Sequence, residues 1–293
     1  MRRKFCTLVA VLGVGGGFAS AAMVASDNGA NYITPGWSVT AANEGSGFGP
    51  WASYVTNNTS PPYAGTYLDL PTYNNSPNIE AVGADWGTYA NSGPPTPSTD
   101  LVRSFLPAPG GYSDPSGLGT LYNQTFSVAM ASNGIGAGAA LGFSLDTGQG
   151  GSGSTAISSP ALTLEYAGGG ADSMTLLDNN GTDNTAVPIA YANLNAGINV
   201  SVAVGFNPDG LNPYQITISP LPGNTTFTTP VVLTGSENGP LQQVNMFDDD
   251  TSGDGFFNSL SISPEAAVPE PATAGLIGAG AMLLTLRRRR NER

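Results

Sequence analysis

Histidine is missing from this 293-residue chain, and its one cysteine, Cys6, lies almost at the N-terminus. Without them the rest of the chain has no Ser-His-Asp or Cys-His nucleophile and no imidazole- or thiolate-held zinc. It also has no disulfide. Positive charge is nearly as scarce. Of nine basic residues, Arg2, Arg3 and Lys4 open the chain, Arg287–Arg290 and Arg293 close it, and Arg103 stands alone between. With no lysine after position 4, Schiff-base chemistry is excluded as well. Residues 22–268 hold 19 of the 21 acids against that one arginine, so their net charge is 1 − 19 = −18. Such a field repels nucleic acid and anionic lipid and favours cations, so no nucleic-acid partner is expected.

The scarce positive charge frames two apolar segments. Met1-Arg2-Arg3-Lys4, the apolar stretch Phe5–Phe18 and Ala19-Ser20-Ala21 follow the order of a secretory signal peptide, residues 1–22. Signal peptidase is its expected partner, with cleavage near Ala21 or Ala22 and Ser26 as a second position. At the other end, residues 268–293 contain Pro269, Glu270 and Pro271, then the uncharged run Ala272–Leu286, then Arg287, Arg288, Arg289 and Arg290. The prolines keep the tripeptide extended, and the arginines hold their side of a bilayer in the cytoplasm. As a helix the 15-residue run spans about 22 Å, short of a hydrocarbon core of about 30 Å. It suits a transient membrane anchor better than a lasting one. A plain tail anchor is the alternative, but that needs no Pro-Glu-Pro. The arrangement resembles the bacterial PEP-CTERM sorting signal. That resemblance implies recognition and cutting by an exosortase-type sorting protease, and delivery to the cell envelope or the extracellular matrix.

Between the ends, the ectodomain 23–266 reads as all-β. The sequence holds 40 glycines and 23 prolines, yet 40% of it is apolar, enough for a core. Short alternating runs recur between turn residues, at Trp51–Thr56, Gly65–Leu70, Ile79–Tyr89, Leu121–Ala131, Ala140–Asp146 and Ala161–Tyr166. Ser173–Leu177, Ala186–Tyr191, Ile198–Phe206, Tyr214–Ile218, Val231–Thr234, Leu241–Phe247 and Phe256–Ile262 continue the series. A dozen or so strands suggest a two-sheet antiparallel β-sandwich, flanked by a terminal signal helix and a short C-terminal transmembrane helix. Segments 91–118 and 147–155 read as surface loops.

The runs Gly47-Phe48-Gly49-Pro50-Trp51, Asp85–Gly93, Arg103-Ser104-Phe105, Asn123–Ser127, Gly142–Leu145 and Phe256–Ile262 follow in an informative order. Over most of 31–263 they resemble the ectodomains of PEP-CTERM proteins with no assigned activity. The layout is similar to the concanavalin-A-like, laminin-G-like jelly roll. That resemblance implies pairing of the first and last strands, and an extracellular domain of a kind often associated with polysaccharide.

Candidate site residues are few. Asp248, Asp250, Ser252 and Gly253 match the opening of an EF-hand loop, and Asp254 follows. Ser259 stands where the loop needs a bidentate glutamate, so this is no EF-hand. Calcium held by Asp248, Asp250, Ser252 and Asp254 is one reading; an acidic turn is the other. Arg103 either pairs with a carboxylate to fix the 91–118 loop or meets a ligand. Trp37, Trp51 and Trp86 are core residues or sugar platforms, and Tyr32, Tyr54, Tyr63, Tyr73 and Tyr112 are further stacking candidates. No catalytic residues emerge, because the Glu-x-Asp-x-x-Glu pattern of jelly-roll glycosidases is absent. The expected function is binding to, or forming part of, exopolysaccharide, without enzymatic activity. The alternatives are a carboxylate-based glycan-degrading enzyme and a purely structural surface component.

Overall fold

The computed structural model describes residues 24–264 apart from 39–42, 57–62, 71–78, 80–82, 92–95, 108–118, 136–138, 148–159, 168–173, 180–184, 191–193, 208, 226 and 250–252. Both terminal segments, with Pro269, Glu270, Pro271 and Arg287–Arg290, lie outside the described residues, as do the two helices expected there. Among the described residues no helix is long and apolar enough to cross a membrane.

Alternation of apolar and polar side chains builds strands that stack as two antiparallel sheets, a jelly-roll sandwich. One sheet runs in the order β13 (Val231–Glu237), β12 (Asn212–Pro220), β11 (Ile198–Val204), β6 (Gln124–Ser132), β15 (Asp254–Pro264), β4 (Asp85–Ala90), β3 (Ala64–Asp69). The short strand β1 (Ala25–Asp27) adds to β15, so the first and last strands do pair. The other sheet runs β10 (Thr185–Val187), β9 (Met174–Asp178), β8 (Pro160–Ala167), β7 (Ala140–Thr147), β14 (Leu241–Asp249), β5 (Ser98–Phe105), β2 (Phe48–Thr56).

Every second residue of the central strands enters one shared core. From the first sheet come Phe126, Val128 and Met130 of β6, Val200, Val202 and Val204 of β11, and Trp86 of β4. Leu101 and Phe105 of β5, Leu141, Phe143 and Leu145 of β7, and Val244 and Met246 of β14 meet them from the second.

Three expectations need correction. Segment 91–118 is not one loop, since β5 occupies Ser98–Phe105, between β14 and the edge strand β2 of the second sheet. Its inward set is Leu101, Arg103 and Phe105, and the arginine breaks the apolar alternation that reveals a strand. The run at Ile79–Tyr89 becomes a strand only from Asp85, and Ile79 instead packs with Ala129, Ala131 and Phe256 on the outer side of the first sheet. The run at Ala186–Tyr191 yields only the short β10.

Candidate functional site

Arg103 decides what the chain can offer a ligand, and it offers nothing. It points inward from β5, is fully buried, and forms an ion pair with Asp27 of β1. Nε donates to the Gly49 carbonyl at 2.8 Å, and Nη1 to the Tyr32 hydroxyl at 3.2 Å. Nη2 donates to the Glu44 carbonyl at 2.6 Å and to Asn43 Oδ1 at 3.4 Å. With Asp27 on Nη1, all five guanidinium donors have partners. The plane lies between Phe48 and Trp51, 5.0 and 4.8 Å from their ring centroids. Burial lowers its pKa to about 9, still above neutral pH, so the guanidinium stays charged beside Asp27.

The rest of the network is equally closed. Asp27 Oδ2 accepts from Tyr32 at 2.6 Å, and Oδ1 accepts from Asn31 at 2.7 Å and the Asn28 amide at 2.9 Å. Trp51 donates its indole N–H to Tyr32 at 2.9 Å, and burial pushes the Tyr32 phenol up to about 12. The arginine therefore does pair with a carboxylate, but it fastens the stretch from β1 to β2 rather than the 91–118 loop. Trp51 and Trp86 are buried in the core, 4.9 Å apart, and Trp37 packs on them half-buried. Tyr32 is likewise sealed. Tyr32, Trp51 and Trp86 are core, which removes them as sugar platforms, whereas Trp37 stays partly exposed. Tyr63 is half-buried; Tyr73 and Tyr112 lie outside the described residues.

The acidic loop is split between the two sheets. Asp248 is fully buried and its Oδ2 accepts from the Gly255 amide at 3.2 Å. Asp254 Oδ2 accepts from the Tyr67 hydroxyl at 2.6 Å. Asp250 and Ser252 lie outside the described residues. Among the described residues no three acids stand close enough together to hold a metal ion.

A different surface gathers chemistry. Residues on the outer face of the second sheet alternate with the core residues of β5, β14, β7 and β8. Register sets Tyr54, Asp100, Phe247, Gly142 and Glu165 side by side across five strands. Val102, Asn245, Ser144 and Thr163 form the next row, and Ser104, Gln243 and Asp146 the third. Tyr54, Asp100 and Glu165 are half-buried, whereas Ser144, Asp146, Gln243 and Asn245 are buried.

Amides link the acids. Asn245 Nδ2 donates to Asp100 Oδ1 at 2.9 Å, and Gln243 Nε2 to Asp146 Oδ2 at 3.1 Å. Among the described residues, Asp146 Oδ1 and Asn245 Oδ1 accept nothing although both are buried. Burial raises the pKa of Asp100, Asp146 and Glu165. For Asp146, the Ser144 hydroxyl and the Gln243 amide oppose that rise, and the charge of Asp100 adds to it. Ser144 lies near Asp146 without completing a well-formed hydrogen bond.

Sequence reading missed this face because its members are scattered over 65 positions from Asp100 to Glu165 and again at 243–245. The one available signal was a set of polar residues, Asp100, Ser144, Asp146, Gln243 and Asn245, alternating with apolar ones.

No protein-family model matches the chain, and no curated protein matches it. Solved structures with a similar course include the globular domain of T. cruzi calreticulin. Its TM-score is 0.44 at 10% identity, over 81% of this chain and 95% of that one. The VIP36 exoplasmic/lumenal domain, in a Ca2+/Man3GlcNAc-bound form, scores 0.40 at 11% identity over 75% and 90%. A glycosyl hydrolase family protein from Mycobacterium fortuitum scores 0.38 at 12% over 72% and 90%. At these scores and identities no chemistry carries over.

Proposed function

We propose that this is an exported protein of the cell envelope or extracellular matrix, sorted by its C-terminal signal, whose outer sheet face binds exopolysaccharide. The observation that carries the binding role is the row of half-buried Tyr54, Asp100 and Glu165 across the outer face of the second sheet, with the buried Asn245 amide holding Asp100 from beneath. Carboxylates beside an aromatic ring are what sugar hydroxyls and ring faces require. The end segments supply the address: an N-terminal signal peptide, then Pro269-Glu270-Pro271, an apolar run and Arg287–Arg290 for an exosortase-type protease.

Catalysis is the second reading, because Asp100 lies close enough to Asp146 to raise its pKa. Two facts count against it. Asp146 is fully buried, out of reach of a glycosidic oxygen. Asp100 and Glu165, the reachable pair, stand three strand spacings apart, about 14 Å at ~4.8 Å each, beyond the ~5–9.5 Å of glycosidase carboxylate pairs.

Glycan-array binding of the purified protein, with and without EDTA, tests the proposal. Binding that weakens at least tenfold in Asn245→Ala and Asp100→Ala, with circular dichroism unchanged, supports it. Binding to no glycan, or binding indifferent to both substitutions, overturns it. Release of reducing ends by the wild-type protein would replace it with the enzymatic reading. Loss of binding in EDTA would show that a divalent cation takes part, and substitution of Asp248, Asp250, Ser252 and Asp254 would then test that loop as its site.

A further inference from the structure

Apolar side chains left outside the core gather at one end of the sandwich, the end at which the chain leaves it. We infer that this end rests on the outer surface of the bilayer that holds the apolar run Ala272–Leu286, with Tyr122 and Phe206 at the level of the lipid headgroups. The inference rests on the sorting-signal reading above and extends it from the tail to the folded body.

Strand direction identifies the end. β15 runs from Asp254 to Pro264, and Pro264 stands opposite Gln124 of β6, which stands opposite Val204 of β11. Tyr122 and Phe206 each lie two residues beyond that row, and their rings meet at 4.6 Å between centroids, tilted by 44°. Phe206 is 46% exposed, the only exposed aromatic side chain among the described residues. It is held there: the Gly205 amide donates to the Pro213 carbonyl at 2.8 Å, and the Asn207 amide to Oδ1 of the buried Asn212 at 3.1 Å. Leu106, 45% exposed, extends the patch from the end of β5. The turn before Tyr122 ties the two sheets together at this end, since the Gly119 amide donates to Phe105 and the Leu121 amide to Leu241. Exposed apolar side chains clustered in this way mark a contact surface.

The tether selects the partner. Only 272 − 264 = 8 residues separate Pro264 from Ala272, so the apolar run begins at most about 28 Å from this end, at ~3.5 Å per residue. Aromatic side chains are the ones that settle at a membrane–water interface. Charge is disposed to match. Asp248, Asp249 and Asp254, where β14 gives way to β15, lie at the opposite end, about 30 Å along β15 at ~3.3 Å per residue. Those carboxylates are thereby turned away from lipid phosphates. Asp209 is exposed on the turn beside Phe206, so the surface suits zwitterionic headgroups rather than anionic ones.

The exported protein, tail intact, is reconstituted into phosphatidylcholine vesicles whose acyl chains carry bromine near the headgroup, and tryptophan emission is read. Phe206→Trp and Leu106→Trp each place a reporter at this end. Val55→Trp, on an exposed residue at the far end of β2, is the control. Bromine quenches an indole only near contact. The emission that each of the first two adds to the wild-type signal should fall by more than half, while that added by Val55→Trp stays unchanged. Equal quenching at both ends, or none at either in protein that floats with the vesicles, overturns the inference and leaves the sorting reading standing. Protein that does not float with the vesicles overturns the membrane-held tail and the inference together. Emission of Phe206→Trp that responds to a soluble neutral glucan and not to lipid makes the ring pair a sugar platform, and overturns the inference alone.

Discussion

Replacing Glu237 with glutamine should change how stability depends on pH more than it changes stability at any one pH. Glu237 ends β13, the edge strand of the first sheet, and its side chain is fully buried opposite Asn212. Oε1 accepts from Asn212 Nδ2 at 2.9 Å, while Oε2 accepts nothing among the described residues. Burial pushes its pKa up from 4.5 to about 7, and the Asn212 bond offsets only part of that. The folded state therefore holds a proton that the unfolded chain gives up. Stability from the neutral acid is present in full below pH 4.5 and is lost as pH rises towards 7. That rise, from 4.5 to about 7, corresponds to a ceiling of about 3.4 kcal/mol. Screening by water beside an edge-strand terminus reduces that to about 2 kcal/mol. Urea unfolding of wild-type protein and Glu237→Gln between pH 4 and 8 is the assay. The two should differ by a constant below pH 4.5, and then diverge in favour of the glutamine by about 2 kcal/mol up to pH 7–8. Parallel curves would refute the reasoning, because the remaining buried acids are common to both proteins and cancel.

Two further outcomes concern the N-terminal stretch. Asp27→Asn should destabilise the fold by about 3–5 kcal/mol, measured by the same unfolding assay, because it leaves a fully buried guanidinium without its counter-charge. Mass spectrometry of exported protein should place the mature N-terminus before Val24. The Val24 amide donates to Ile262, and Ala25 and Ser26 pair along β15, so processing at Ser26 would strip most of that ladder.

Much of the architecture was legible in the chain because most core strands alternate cleanly. Ile198, Val200, Val202 and Val204 declare both a strand and its inward face, and β11 lies where they place it. β5 was illegible for a specific reason. Its middle inward position is Arg103, whose burial depends on Asp27, 76 residues earlier, and on ring faces from Phe48 and Trp51. No local window contains that compensation. β1 is only three residues long and takes its pairing from β15 at the far end of the chain, so it has no local signature either. The outer face was hidden in the same way. Asp100, Asp146 and Asn245 become neighbours only through the register of β5, β14 and β7, and register is set by the whole sheet.

The pairing of β1 with β15 also fixes how the domain bears load. The Val24 amide meets the Ile262 carbonyl at 2.9 Å, so the chain enters and leaves the sandwich at one corner, about one strand spacing apart. Tension that drew the two tails apart would open this ladder from its end, one residue pair at a time, with no shared resistance along the strand. A body suspended by a single tail leaves the corner slack, whereas one held by both tails carries any pull onto this ladder and the Asp27–Arg103 pair behind it.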